Sequence, residues 1–76
     1  MTRIPIPKKS FLDECEYIGA FDGEKRWRSK DKKRLYTWDA LHGEIEVFND
    51  RGKHLASYYP NGIYKKNAIK GRKINV

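Results

Sequence analysis

Apolar and polar residues alternate in short runs along the second half of the chain, and this pattern predicts β-strands. The run Glu44-Ile45-Glu46-Val47-Phe48 alternates until Phe48, Leu35-Tyr36-Thr37-Trp38 is β-branched and aromatic, and residues 54–59 form a third short run. Turn signals separate these runs, namely Asn-Asp-Arg-Gly at 49–52 and Pro-Asn-Gly at 60–62. Short strands joined by such turns predict a mainly β fold, with one antiparallel meander over residues 25–76.

The first 24 residues are predicted to form an N-terminal extension that contains a short helix. Ser10 is a candidate N-cap, and Asp13 and Glu14 would lie in the first turn, where negative charge is favourable. The apolar face of this helix would consist of Phe11, Leu12, Cys15 and Ile18. Gly19 and the pair Asp22-Gly23 would end it.

Length and charge narrow the class of protein. Seventy-six residues suffice for a single domain, 1–76, with a small core. The chain has 17 Lys+Arg against 10 Asp+Glu, a net charge of +7, which favours nucleic acid, an anionic membrane or an acidic protein as partner. Membrane is the weakest of the three, because no apolar run approaches the ~20 residues that span a bilayer. The single cysteine, Cys15, excludes an internal disulfide and is predicted to be a small, unreactive thiol on an apolar face.

A histidine and three carboxylates lie within one short stretch, at Asp39, His42, Glu44 and Glu46. RNA supplies its own nucleophile, the ribose 2′-hydroxyl, so a ribonuclease needs a base, an acid and a cation for the phosphorane. A carboxylate and an imidazole can fill the first two roles near neutral pH, and crowding should raise the pKa of at least one carboxylate. Because His42, Glu44 and Glu46 share a parity, they are predicted to project from one exposed face of a strand, although Gly43 could distort its start.

A dense basic run precedes this stretch, and a second basic cluster lies near the end of the chain. The candidate RNA-binding residues in the two are Lys25, Arg26, Arg28, Lys30, Lys32, Lys33, Arg34, Lys70 and Lys73. Trp27, Tyr36 and Trp38 lie among them, and such aromatic side chains can stack on unpaired bases. In so small a chain, however, some of these aromatics must belong to the core.

Plainer interpretations remain open at this point. Glu44 and Glu46 could be the solvated face of a half-buried strand, and the basic run could be a solubilising loop. A metal site of Asp39, His42 and Glu46 is a weaker alternative, because Asp-x-x-His is a poor metal signature. The second histidine, His54, has no carboxylate near it in sequence and is predicted to be structural.

The pattern Trp38-Asp39-x-x-His42-Gly43-Glu44-x-Glu46, together with Lys25-Arg26-Trp27 and the turn through Asp50-Arg51-Gly52, resembles the cytotoxic domain of the ribosome-cleaving colicins. The resemblance covers roughly residues 25–76 and extends to toxin domains at the C-termini of contact-dependent inhibition proteins. It implies a highly twisted antiparallel sheet and a metal-independent endoribonuclease with no cofactor. Its implied target is the decoding site of 16S ribosomal RNA in the ribosome.

The resemblance also implies roles for individual residues. Glu46 corresponds to the general base on the 2′-hydroxyl and His42 to the general acid. Asp39 corresponds to the carboxylate that orients the histidine, Glu44 to a second strand acid and Arg72 to the phosphate-binding arginine.

The expected function is therefore that of a bacterial toxin domain which blocks translation. The resemblance implies delivery as the C-terminal part of a larger secreted or cell-surface toxin, action in the cytoplasm of the target cell, and a small acidic immunity protein as partner. Two alternatives stay open: a non-catalytic RNA- or ribosome-binding β-domain, and a ribonuclease with another target such as tRNA. Carboxylates inside a phosphate-binding surface favour catalysis, because they would weaken simple binding.

Overall fold

Six antiparallel strands form a single sheet in which every strand pairs with its neighbours in sequence. The structure is a computed structural model and describes residues 2–76. The strands are Glu16–Phe21 (β1), Glu24–Arg28 (β2), Arg34–Asp39 (β3), Glu44–Asn49 (β4), His54–Tyr58 (β5) and Tyr64–Asn67 (β6), in the spatial order β1-β2-β3-β4-β5-β6. The predicted meander is therefore confirmed.

The sheet is strongly twisted. Register shifts interrupt the pairing of β1 with β2, of β4 with β5 and of β5 with β6. Such bulges increase the right-handed twist of the strands that carry them. The molecule measures 29 × 26 × 25 Å, and these nearly equal dimensions fit a coiled sheet rather than a flat one.

The N-terminal helix is much shorter than predicted. Ser10 is indeed an N-cap, and it forms a reciprocal capping box with Asp13, but the helix is a single 3₁₀ turn, Phe11–Glu14. The prediction that it continues through Cys15 and Ile18 is wrong, since these residues enter or belong to the extended chain of β1. The described residues contain no α-helix, and no helix among them is long and apolar enough to cross a membrane.

The pair Asp22-Gly23, predicted to end that helix, is instead the two-residue turn between β1 and β2. Both residues have positive φ, 53° and 82°, and Phe21 pairs directly with Glu24 across the turn. A two-residue hairpin with this backbone twist favours Asp-Gly. The signal was therefore one for a hairpin, and the sheet begins nine residues earlier than the predicted boundary at residue 25.

The register of β3 and β4 separates two faces of the sheet. Tyr36 pairs with Val47, and Trp38 pairs with Ile45, on what we call the apolar face. Residues 2–15, the N-terminal segment, cover this face, with Leu12 buried at its centre and Phe11 edge-on to Tyr36 at 5.4 Å. Cys15 packs against the same cluster, and burial raises the pKa of its thiol, in agreement with the predicted unreactive role.

The opposite side, which we call the site face, carries Thr37 opposite Glu46 and Asp39 opposite Glu44. Residues 68–76, the C-terminal tail, cover the part of it around Glu46 and His54. Gly52 accepts a hydrogen bond from the amide of Ile74 at 2.9 Å, and His54 donates its amide to the carbonyl of Arg72 at 3.0 Å. Both faces of β4 are therefore buried.

Candidate active site

His42 lies in the turn between β3 and β4, not on the strand where parity had placed it. Asp39, the last residue of β3, shapes this turn: its Oδ1 accepts hydrogen bonds from the amides of Leu41 and His42 at 3.0 and 3.1 Å. Its Oδ2 lies 2.8 Å from His42 Nδ1. The carboxylate thus orients the imidazole and leaves Nε2 available, on a side chain that is 57% exposed.

The same contacts determine the charge of Asp39. Partial burial alone would raise the pKa of its carboxyl group, but the hydrogen bonds from the His42 ring and from two backbone amides outweigh burial and hold the pKa below its usual range. Asp39 is therefore an anion beside His42 near neutral pH.

A contact from the N-terminal segment anchors this turn. The amide of Ile4 donates to the carbonyl of Ala40 at 2.8 Å, and the indole Nε1 of Trp38 donates to the carbonyl of Ile4 at 2.8 Å. The Ile4 side chain also packs over Gly43, where a Cβ would lie 3.0 Å from Ile4 Cδ1. Gly43 has a φ of +65°, so glycine suits this position for both space and backbone conformation.

Glu44 and Glu46 lie on one face, as predicted, but the prediction that they are surface groups is wrong. They are only 2% and 3% exposed, because the tail and β6 cover the site face. Buried carboxylates need cationic or hydrogen-bonding partners, and both have them. Lys65 Nζ lies 2.8 Å and Lys66 Nζ 3.3 Å from Oε1 of Glu44.

The crowding of carboxylates does not have the predicted effect on Asp39 or Glu44. Burial by itself would raise the pKa of Glu44, but hydrogen bonds from Lys65 and Lys66 lower it below the usual value. The hydrogen bond to Glu44 correspondingly raises the pKa of Lys65. Neither Asp39 nor Glu44 is thus suited to exchange a proton near neutral pH.

Glu46 is held at one oxygen and freer at the other. Its Oε2 lies 2.5 Å from His54 Nε2 and 3.2 Å from the Ser57 hydroxyl, which donates to it. Its Oε1 has Arg72 Nη2 at 3.5 Å. Oε1 is therefore the less tightly engaged of the two oxygens.

Sequence reasoning did not place His54 in this site. Its Nδ1 accepts a hydrogen bond from the amide of Ile69 at 2.9 Å, so the ring proton lies on Nε2 and points at Glu46. His54 is 1% exposed and fixes the orientation of that carboxylate. The available signal was the hairpin itself: a turn at 49–52 brings the start of β5 beside β4, where Phe48 pairs with His54.

Asp39, Glu44 and Glu46 form one cluster, with a carboxylate oxygen from each within 4.8 Å of the others. Among the described residues this is the group that could hold a metal ion, and His42, a member of the predicted metal set, is not in it. Lys65, Lys66 and His54 already contact the two buried members.

The predicted RNA-binding residues differ in availability. Three of the nine are engaged. Arg26 is buried, donates to the carbonyl of Asn75 at 2.8 Å and covers the Phe21 ring; Arg28 forms an ion pair with Glu16 at 2.6 Å; and the exposed Arg34 donates to the Tyr58 hydroxyl at 3.2 Å. The other six are exposed, namely Lys25, Lys30, Lys32, Lys33, Lys70 and Lys73.

Among the aromatic candidates, Tyr36 is buried, and Trp27 and Trp38 pack against the core, as expected for part of this set. Arg72 projects from the tail to the carboxylate cluster and is 45% exposed. The structure thus brings Arg72 to Glu46, a residue of the carboxylate cluster, which no local pattern in the chain could show.

Comparison with known proteins is consistent with this geometry. The model of the family described as Cytotoxic matches residues 16–75. Colicin E3 of Escherichia coli is 40% identical over 37 residues, which are 47% of this chain and 7% of that protein. Cloacin of Escherichia coli is 39% identical over 36 residues, 46% of this chain and 6% of that protein. The aligned part is thus a small fraction of either relative.

Proposed function

The chain belongs to the Cytotoxic family, and from this premise we propose that it is a bacterial toxin domain with endoribonuclease activity. Its proposed substrate is 16S ribosomal RNA at the decoding site of the ribosome, cleaved with the ribose 2′-hydroxyl as nucleophile. The observation that carries the proposal is the presence, on one β3–β4 hairpin, of an exposed histidine oriented by a carboxylate and of a buried glutamate whose second oxygen is engaged only loosely, by Arg72. These are an acid and a base that act without a bound cofactor.

In the proposed mechanism Glu46 Oε1 accepts the proton of the 2′-hydroxyl, which then attacks the adjacent phosphorus. His54 and Ser57 hold Oε2, so the base keeps one orientation throughout the reaction. His42, oriented by Asp39, donates a proton from Nε2 to the departing 5′-oxygen. The products are a 2′,3′-cyclic phosphate and a free 5′-hydroxyl.

The cation for the phosphorane is Arg72 in this proposal. Its guanidinium lies 3.5 Å from Glu46, a loose contact, and the side chain is partly exposed. A guanidinium matches phosphate oxygens with two parallel donors, so it can exchange the carboxylate for the phosphate as substrate binds. Lys65 and Lys66 on Glu44 add positive charge at the same edge.

The direct test uses His42→Ala and Glu46→Gln on intact ribosomes, with new RNA 3′ ends mapped by primer extension. Each variant should cleave at least about a hundredfold more slowly, the usual contribution of general acid-base catalysis. Asp50→Asn, in the exposed β4–β5 turn, is the control and should cleave at the wild-type rate. Activity should also persist in EDTA once ribosome integrity is verified.

Cleavage by His42→Ala at the wild-type rate would show that His42 takes no part in the mechanism. Because Glu46 is buried, its variant also requires urea unfolding to show that it is folded. RNA binding without any cleavage would favour the non-catalytic binding domain, and cleavage of purified tRNA in preference to ribosomes would move the target to tRNA.

We also propose that a larger secreted or cell-surface toxin delivers this domain to the cytoplasm of a target cell, and that a small acidic immunity protein neutralises it. The net charge of +7 suits such a partner, since complementary charge speeds and orients association. Expression of the chain alone should arrest bacterial growth, and co-expression with the acidic product of a neighbouring gene should restore it and yield a co-purifying complex. Harmless expression of the wild-type chain would contradict the toxin assignment.

A further inference from the structure

A cavity of about 440 Å³ opens directly beside the proposed catalytic carboxylates. Asp39 and Glu46 form its inner wall, and Thr37 lies between them on the site face. The cavity extends away from the cluster to Glu24 at the start of β2 and to Arg3 in the N-terminal segment. Its volume lies in the range of small-molecule sites and is ample for one nucleotide.

The wall formed by the N-terminal segment is held in place. The two hydrogen bonds between Ile4 and the end of β3, at 2.8 Å each, fix the backbone next to Arg3 and the orientation of the Trp38 indole, which also lines the cavity. This segment precedes the part of the chain that the family model matches, residues 16–75. The cavity is therefore completed by residues outside the matched region.

The charges around the cavity suit a nucleobase and not a phosphate. Three carboxylates line it, from Glu24, Asp39 and Glu46, against the single guanidinium of Arg3. Glu24 is exposed and forms no ion pair among residues 2–76. A phosphate would be repelled there, whereas the N–H groups on the edge of a base can donate to carboxylates. Phosphates are better placed on the side of Glu46 that carries Arg72.

We propose that this cavity binds an unpaired nucleobase next to the scissile phosphate, and that Glu24 selects bases whose edge presents an amino group. Recognition of single-stranded RNA depends on bases that leave the stack and donate or accept hydrogen bonds on their Watson–Crick edge. Guanine offers two adjacent donors, N1–H and the 2-amino group, to one carboxylate, and adenine and cytosine each offer an amino group. Uracil offers only N3–H, which lies between two carbonyl oxygens that a carboxylate repels. The order of preference is therefore guanine first and uracil last. The assignment rests on the proposed ribonuclease function but concerns binding.

The test is an NMR titration of the whole chain with GMP, AMP, CMP and UMP. The phosphate is common to all four, so differences between them report on the base. GMP should perturb the Trp38 indole N–H and the Thr37 amide and bind at least about tenfold more tightly than UMP, which is the effect of one additional hydrogen bond of about 1.4 kcal/mol. Glu24→Gln should reduce this ratio to below about threefold. Asp50→Asn, with the same change of charge in the β4–β5 turn, should leave it unchanged.

Two results would overturn the subsite: equal perturbation by all four nucleotides, or perturbation confined to Arg72 and the lysines. Ribosome cleavage by the same sample separates this outcome from the proposed function. If ribosomal RNA is cleaved but no nucleotide perturbs the residues that line the cavity, the subsite is wrong and the ribonuclease proposal is unaffected. If GMP binds in the cavity but no RNA is cleaved, the subsite is supported and the domain is an RNA-binding module without ribonuclease activity. Arg3→Ala, at an exposed residue, serves as a second variant and should weaken GMP binding without unfolding the chain.

Discussion

The role proposed for the buried carboxylate of Glu46 depends on the residues that contact its two oxygens. His54 and Ser57 donate to one oxygen, while the other faces a guanidinium that is only loosely engaged. Glu46 is only 3% exposed and His54 contacts one of its oxygens, so His54 acts as a positioning residue for the proposed base. Its own orientation depends on the tail, through the amide of Ile69.

Replacement of His54 should separate this positioning role from simple packing. His54→Leu removes the donor and should lower the free energy of unfolding by roughly 2–3 kcal/mol, the value of a hydrogen bond to a charged group. Cleavage should fall at least about tenfold, because the carboxylate of Glu46 loses the donor that fixes its orientation. His54→Gln keeps an N–H donor and should retain more of the stability and more of the cleavage rate than His54→Leu does. Urea unfolding measures the stability, and initial rates measure the cleavage. An equal loss of cleavage in His54→Gln and His54→Leu would show that His54 does not act through its N–H donor.

At the scale of elements, the N-terminal segment and the C-terminal tail cover opposite faces of the sheet. The N-terminal segment covers the apolar face and completes the core, and the C-terminal tail covers the site face and carries Arg72 to Glu46. The tail docks through backbone contacts with the start of β5, at Gly52 and His54. These contacts depend on Gly52, where a Cβ would lie 2.2 Å from the carbonyl oxygen of Ile74.

A matched pair of glycine substitutions tests the docking of the tail. Gly52→Ala and Gly23→Ala both place a side chain at similar positive φ, +86° and +82°, and so share a backbone cost of about 1–2 kcal/mol. Only Gly52→Ala also displaces the tail, because nothing lies within 4 Å at Gly23. Gly52→Ala should therefore lose at least about tenfold in cleavage, and hydrogen exchange at the Ile74 amide should accelerate. Equal rates in the two variants would show that the position of Arg72 does not depend on this contact.

The elements also show which patterns could be interpreted locally. The strands predicted around Leu35, Ile45 and Leu55 are confirmed, because alternation and turn residues report directly on a local backbone. Residues 16–21 could not be assigned in this way. They follow the N-cap Ser10, which indicates a helix, but they form a strand because they pair with β2. Pairing with a partner overrides such weak local preference.

At the scale of the whole molecule, an excess of positive charge surrounds a negatively charged site. Lys30, Lys32 and Lys33 are exposed beyond the end of β2, whereas the carboxylates are buried among their own cations. Such a distribution attracts RNA broadly and keeps phosphates from occupying the carboxylate cluster itself.

Paired substitution of Lys32 and Lys33 by Ala tests whether these lysines bind RNA phosphates without selecting the cleavage site. If both contact phosphates, the slope of log affinity against log salt should fall by about 0.7–0.9 per lost contact, and binding should weaken for all RNA sequences. Filter binding over a range of salt concentrations measures the slope, and Lys8→Ala with Lys9→Ala, exposed lysines of the N-terminal segment, are the matched control. The cleavage position should stay the same. A shifted cut on a sequencing gel would instead make Lys32 and Lys33 determinants of specificity.

The sequence by itself determined the strands β3 to β5, their hairpin turns, the Ser10 cap and the set of chemically capable residues from Asp39 to Glu46. Each of these depends on local backbone preference or on a short spacing. Only the tertiary structure decided that Glu44 and Glu46 are buried, that His42 acts from a turn, that His54 and Arg72 meet at Glu46, and that Arg3 and Glu24 share a cavity with the carboxylates. The physical reason is that the two terminal segments cover opposite faces of the sheet, and alternation along a strand cannot reveal what lies over either face.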